Sequence, residues 1–159
     1  ICKFIRAKNI VITDVNDYRL NLAKQLGATK TINTKKDSIK NCFDELNIKH
    51  GFDVGLEMSG NGQAFNEMLS SIYHGGKIVL LGLLPKSTCI DWDNIIFKGL
   101  QVRGVYGREM YETWYKMDQL IKSGLDLSKI ITHKFPISSF DEAFKVISSG
   151  QCGKVIMEW

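Results

Sequence analysis

Apolar positions along the chain follow two periods that alternate. Asn9-Ile10-Val11-Ile12-Thr13-Asp14-Val15 is a short, β-branched, nearly continuous apolar run, the pattern of a strand buried on both faces of a parallel sheet. From Asn16 to Leu26 the spacing changes: Tyr18, Leu22 and Leu26 recur at helical intervals, and Gly27 is placed to end the helix in the left-handed conformation. Thr31-Ile32-Asn33 predicts a brief strand, and Ile39, Cys42, Phe43 and Leu46 predict a second helical face. Phe52-Asp53-Val54-Gly55-Leu56-Glu57-Met58 reads as the next strand, closed by Ser59-Gly60. Ala64, Phe65, Met68, Leu69 and Ile72 then stripe a helix that Gly75-Gly76 is expected to end, before the apolar strand Lys77-Ile78-Val79-Leu80-Leu81. Beyond Pro85 come a short amphipathic piece from Trp92 to Phe97 and an extended run from Gln101 to Tyr106. A helix from Glu109 to Ser123 then carries Met110, Trp114, Met117 and Ile121 on one face, with Gly124 as its stop. The last stretch is extended from Ile130 to Pro136, shows capping-box spacing in Ser139-Phe140-Asp141-Glu142 before Ala143, Phe144 and Ile147, and closes on the strand Lys154-Val155-Ile156-Met157.

Strand and helix alternate repeatedly with short connections, so the expected class is α/β, a doubly wound parallel sheet with helices on both faces. No linker, low-complexity segment or solenoid-period repeat divides the chain, and 159 residues are the size of one domain.

Composition narrows the function classes. Hydrophobic residues make up 44% and charged residues 24%, and no uncharged apolar run approaches the roughly 18 residues that a membrane span needs. The net charge of +4 comes from 21 Lys and Arg scattered among 17 acids, which is a solvated surface rather than the clustered basic face of a nucleic-acid binder. Cys2, Cys42, Cys89 and Cys152 lie far apart, and His50, His74 and His133 have no ligand spacing around them, so no metal site is expected in this chain. Unpaired thiols in a domain of ordinary size suit a reducing cytoplasm. The opening Ile1-Cys2-Lys3-Phe4-Ile5-Arg6 reads as the tail of an element that began earlier rather than as a secretory signal.

Asp14 is the most informative single residue. It stands at or near the carboxyl end of the first strand, where dinucleotide-binding sheets place an acid about 20 residues after a glycine loop to bind the adenosine ribose hydroxyls. Such a charge repels a 2′-phosphate and so favours NAD over NADP. The other reading is that Asp14 caps the helix near Asn16. Arg19, one turn into that helix, stands within reach of a ribose or an adenine, or is simply a solvated arginine. Gly82, just past a strand end, lets backbone approach a ligand, or makes a plain turn. Tyr106-Gly107-Arg108-Glu109 crosses from strand end to helix start, where ligands gather in open sheets. There Arg108 offers a donor fork for a carboxylate and Glu109 a complement to the helix dipole, but on position alone the plain surface reading holds for both. No Gly-x-Ser-x-Gly elbow, Walker loop, His-Glu-x-x-His or paired cysteines occur.

Several runs together resemble one family. They are VITDVNDYRLNLAKQLGA at 11–28, GFDVGLEMSG at 51–60, GGKIVLLG at 75–82, IDWDNIIFKGL at 90–100, VRGVYGREMYETWYKM at 102–117, SGLDLSKIITHKF at 123–135 and GKVIMEW at 153–159. The chain is similar over essentially its whole length to the C-terminal part of the zinc-dependent medium-chain dehydrogenases. EMSG and YGREMYETWYKM point to the branch that oxidises L-threonine. The resemblance implies a partial Rossmann-type sheet at 1–125, lacking its first strand and glycine loop, and a segment at 126–159 that returns to the catalytic domain. It implies NAD contacts at Asp14 and Arg19 on the ribose side, at Leu81, Gly82 and Leu83, and at Val105 and Tyr106 near the nicotinamide. It places no catalytic residue and no metal ligand in this chain, because the family carries its zinc ligands and proton relay in the other half.

For the intact enzyme the resemblance implies oxidation of L-threonine to 2-amino-3-oxobutanoate with hydride passing to NAD. Zinc acts there as Lewis acid, in a cytoplasmic homotetramer whose strand around Val102–Tyr106 meets a neighbouring subunit. The isolated chain is expected to be inactive and to hold NAD poorly, since the pyrophosphate-binding helix start is absent. Three rival readings stand beside this one: a polyol or alcohol dehydrogenase of the same family, a non-catalytic nucleotide-binding module, and a truncated product that serves only as a non-catalytic subunit partner.

Overall fold

The computed structural model describes all residues, 1–159. In chain order the elements are β1 (Val11–Asp14), α1 (Asp17–Gln25), β2 (Lys30–Asn33), α2 (Cys42–Glu45), β3 (Phe52–Glu57), α3 (Gly62–Ser71), β4 (Ile72–Leu80), α4 (Trp92–Phe97), β5 (Gln101–Gly104), α5 (Glu112–Lys122), β6 (Ile131–Pro136), α6 (Phe140–Ser149) and β7 (Lys154–Glu158). Every strand pair is parallel, as the alternation predicts, but the strands form three small sheets, β1-β2, β3-β4-β5 and β6-β7. The chain folds into two compact units, Ile1–Ser38 with Tyr111–Trp159, and Ile39–Met110.

In the first unit β1, α1 and β2 make one crossover, with Val11 opposite Lys30 and Asp14 opposite Asn33. Asn16 starts α1: its backbone is extended, and its Oδ1 accepts from the amides of Tyr18 at 2.9 Å and Arg19 at 3.4 Å. Gly27, at φ +100°, terminates the helix as its sequence position predicts. The buried residue of α1 is Leu20, whereas Leu26 is exposed, so the inward face lies nearer the helix start than the Tyr18-Leu22-Leu26 spacing suggests. At the chain start Ile5 N donates to Ile1 O at 2.9 Å, a single helical turn.

The same unit contains α5, β6, α6 and β7, with β6 parallel to β7. The helix expected from Glu109 begins only at Glu112, because Gly107 and Tyr111 take positive φ (58° and 65°) before it. None of its residues is buried, so Trp114, Met117 and Ile121 form an exposed apolar stripe. The capping box at α6 is present as spacing but not as a bond. Ser139 ends a tight turn, Ile137–Ser139, that runs straight into the helix, and its hydroxyl caps nothing.

The second unit is built around Phe65, Leu69, Ile72 and Ile78, all essentially buried, with Phe52, Met68, Leu80, Ile95 and Leu100 against them. Removing such side chains from water contributes roughly 1.5–3 kcal/mol each, which makes the α3 stripe the main anchor of β3-β4-β5. The helical face at Ile39–Leu46 amounts to one tight turn and one α-turn, halted by Asn47 at φ 53°.

Gly75-Gly76 does not end α3. The helix stops at Ser71, Ile72 is already extended, and the glycines sit inside β4, where the register against β3 jumps from Phe52↔Ile72 to Val54↔Lys77. A Cβ on Gly76 would strike Ile72 and approach Tyr73 O to 2.9 Å, so the pair makes a bulge. The end of α3 is closed instead by Lys98, whose Nζ donates to the carbonyls of Leu69 (2.8 Å), Ser70 (3.0 Å) and Ile72 (3.1 Å). Burial pushes the Lys98 ammonium below the ordinary lysine range.

Candidate functional site

The sequence-predicted residues fall into two groups, one within each unit, each at the carboxyl ends of parallel strands. In the first unit Asp14 is the last residue of β1 and is half-buried. Its Oδ1 accepts from the amides of Val15 (2.7 Å) and Asn16 (2.9 Å), which folds the strand end into the helix start. The helix cap itself is Asn16, so the alternative role of Asp14 as the N-cap is not the one the fold uses. Oδ2 takes no part in the turn, which leaves half of the carboxylate with acceptor capacity at the strand end.

Arg19 lies on the next turn of α1 and is exposed; a Cβ built on Gly150 would lie 3.8 Å from its Nη2. Asn16 Nδ2 donates to Gly150 O at 3.0 Å, tying the β1–α1 turn to the left-handed residue that ends α6. That link joins positions 134 residues apart, beyond what local spacing reveals. Asp17 fastens the other side of the turn, accepting from Asn33 Nδ2 at 2.6 Å and Lys36 Nζ at 2.7 Å. The Lys36 hydrogen bond, and after it that of Asn33, hold the Asp17 carboxyl below the usual aspartate range.

In the second unit Leu81, Gly82 and Leu83 follow β4, and Val105 and Tyr106 follow β5. The two strands are neighbours, and Val105 N donates to Leu80 O at 2.8 Å, so these residues share one sheet end. Leu83 is 91% and Tyr106 99% exposed, so both side chains stand open at that sheet end. Gly82 is glycine for a packing reason as well as for access: a Cβ there would collide with Gly60 N and the Glu57 carboxylate.

Glu57 is the residue that the sequence reading passed over. It ends β3 with 4% of its surface exposed. Its Oε1 accepts from Ser59 N (2.8 Å), Ser59 Oγ (2.5 Å) and Gly60 N (3.0 Å), while its backbone carbonyl accepts from Leu81 N (2.9 Å) and Gly82 N (3.2 Å). The available signal was an acid closing an apolar strand ahead of Ser-Gly, the same signal that singled out Asp14.

Arg108 and Glu109 do not open a helix, since α5 starts three residues later; Glu109 pairs with Arg103 at 3.6 Å across an exposed surface. No three His, Cys, Asp or Glu side chains come together in a way that holds a metal, so the residues present do not fit a zinc centre. No helix is long and apolar enough to cross a membrane.

Over its full length the chain is 57% identical to the L-threonine 3-dehydrogenase of Chromobacterium violaceum and 56% identical to that of Stenotrophomonas maltophilia. It covers 47% and 46% of those two proteins, and so spans about half the length of the curated relatives it matches. Among solved structures, an alcohol dehydrogenase from E. coli complexed with NADH superposes with a TM-score of 0.85 at 23% identity, over 99% of this chain and 47% of that one. The 2R,3R-butanediol dehydrogenase of Bacillus subtilis gives 0.85 at 21%, over 99% and 46%. At such identities the likeness shows the fold, which is that of the Rossmann-type α/β proteins with parallel sheets. A family model described as zinc-binding dehydrogenase matches residues 1–123, more than three quarters of the chain. The strand-end acids, the close-packed glycine loop and the parallel α/β topology thus occur in a chain that belongs to the zinc-binding dehydrogenase family.

Proposed function

We propose that this chain is the coenzyme-binding part of an NAD-dependent enzyme that oxidises the side-chain hydroxyl of L-threonine to 2-amino-3-oxobutanoate. The observation that carries the reading is 52–57% identity, over all 159 residues, to proteins named L-threonine 3-dehydrogenase. The polyol dehydrogenase alternative has less support, because the structural neighbours named for such substrates, a butanediol, an idonate and a galactitol-1-phosphate dehydrogenase, are only 21–24% identical.

The chain's own residues suit the sugar and ring of a dinucleotide. Asp14 has Oδ2 available to accept from ribose hydroxyls, and its charge opposes a 2′-phosphate. Arg19 stands one turn further on and is exposed. Leu81, Gly82 and Leu83 would approach the cofactor largely through backbone, with Val105 and Tyr106 beside them shielding the reacting end from water. NAD when bound supplies the hydride acceptor. The zinc implied by the family would have its ligands in the half of the relatives that this chain does not span. The segment at 126–159 is read as returning to that catalytic half, and the whole as a cytoplasmic homotetramer.

The test is an assay of the protein purified at its native length. NADH absorbance should rise with L-threonine and NAD, and should rise far less with polyols or with NADP. Turnover of a polyol in preference to L-threonine would replace the threonine reading. Failure to bind NAD in any form would remove the dehydrogenase reading altogether.

A further inference from the structure

Glu57 is a carboxylate withdrawn from water at the carboxyl end of a parallel strand, with no lysine or arginine paired to it. A buried carboxylate without a cation is costly unless donors surround it. Here the contacts are all donors, from Ser59 N, Ser59 Oγ and Gly60 N, the surroundings an acceptor-only group requires. The donors satisfy the oxygens but leave the negative charge uncompensated.

The same residue governs two loops. Its side chain shapes the Ser59-Gly60 turn, where Gly60 has φ +69° and a Cβ would approach Leu83 O to 2.8 Å. Its backbone carbonyl binds the amides of Leu81 and Gly82. Gly82 in turn packs so closely on the Glu57 carboxylate and Gly60 that no larger side chain fits. The loop after β4 is therefore held by the Glu57 carbonyl and packed on its carboxylate.

We propose that Glu57 is a positioning residue of the coenzyme site: it seats the Leu81–Leu83 loop, and its uncompensated charge biases that site toward the oxidised, cationic nicotinamide over the neutral reduced form. The inference rests on the reading that Leu81, Gly82 and Leu83 contact NAD. A fixed negative charge close to a site lowers the free energy of a cation there and leaves a neutral ring nearly unaffected. Oxidation of substrate begins with the cationic form and ends with the neutral one, so the bias favours loading of the reactant coenzyme and release of the product.

The experiment compares wild type, Glu57→Gln and Glu57→Ala at native length, with Kd for NAD and NADH measured separately by calorimetry and folding followed by thermal melting. Glu57→Gln keeps an acceptor oxygen for Ser59 and Gly60 but loses the charge. It should melt near wild type while the ratio of Kd for NAD to Kd for NADH rises by about three- to tenfold, the effect of one charge in a partly screened site. Glu57→Ala frees the loop as well and should weaken both forms. A folded Glu57→Gln protein with an unchanged ratio overturns the charge bias, and a folded Glu57→Ala protein that binds both forms like wild type overturns the seating role. Should Glu57→Gln not fold, Ser59→Ala decides, since it strips one donor and keeps the charge: equal weakening of both forms supports the proposal, and no weakening overturns it. Wild type binding neither form would instead remove the dehydrogenase reading, an outcome distinct from all of these.

Discussion

Asp14 offers a clean separation of a structural from a ligand-binding role, because its two oxygens do different work. Oδ1 is committed to the amides of Val15 and Asn16, whereas Oδ2 is free of the turn. Asp14→Asn keeps an oxygen where Oδ1 stands and places an amide where Oδ2 stands. The turn should survive, and with it the Asn16 cap, which depends on a different side chain. What is lost is a charged acceptor for the ribose hydroxyls. A hydrogen bond to a charged group contributes about 1.5–3 kcal/mol, which corresponds to a rise in Kd for NAD of roughly 10- to 150-fold. NADP should move the other way, since the carboxylate no longer repels its 2′-phosphate. The assay is fluorescence titration of both reduced coenzymes with protein at native length, beside a thermal melt. Asp14→Asn that melts like wild type, binds NADH equally well and gains nothing for NADPH would refute the ribose assignment.

Three further outcomes follow from the geometry. Lys98→Met keeps the aliphatic stem but strands three carbonyls at the end of α3. Discounted for the half-exposed ammonium, the loss should be about 2–3 kcal/mol in urea unfolding, and an unchanged midpoint contradicts the capping role. Gly82→Ala forces a methyl against Gly60 and the Glu57 carboxylate, which should destabilise by about 1–3 kcal/mol and weaken NAD binding, with a neutral result in both measurements speaking against close packing. Asp17 has a folded value below its unfolded 3.8, so the contribution of its Lys36 and Asn33 bonds is present above the unfolded value and is lost as pH falls through the folded one. Wild type and Lys36→Met should therefore differ in stability near neutrality, converge in acid and converge in high salt, because the pair is exposed. A difference that persists in acid would assign it to packing.

The α/β class, the parallel pairing and all seven strands were legible from apolar period alone, because alternation of strand and helix is a local property with one well-packed solution. The stop of α1 at Gly27 was equally local, resting on a side-chain-free residue within one turn of the helix end. Asp14 was legible for the same reason, as an acid closing an apolar run.

Only the tertiary structure decided the rest. Gly75-Gly76 resembles a helix stop in sequence, but the end of α3 is satisfied by Lys98 from across the unit, which frees the glycines to make a bulge in β4. The capping box at Ser139 failed because a preceding tight turn removed the extended backbone that a cap requires. Glu57 is an ordinary strand-end acid until the fold buries it beneath Gly82, and Asn16 is an ordinary cap until Gly150 arrives. Periodicity specifies what each segment does to its near neighbours, whereas backbone groups left unpaired at element ends are claimed by whichever side chain the packing brings nearest.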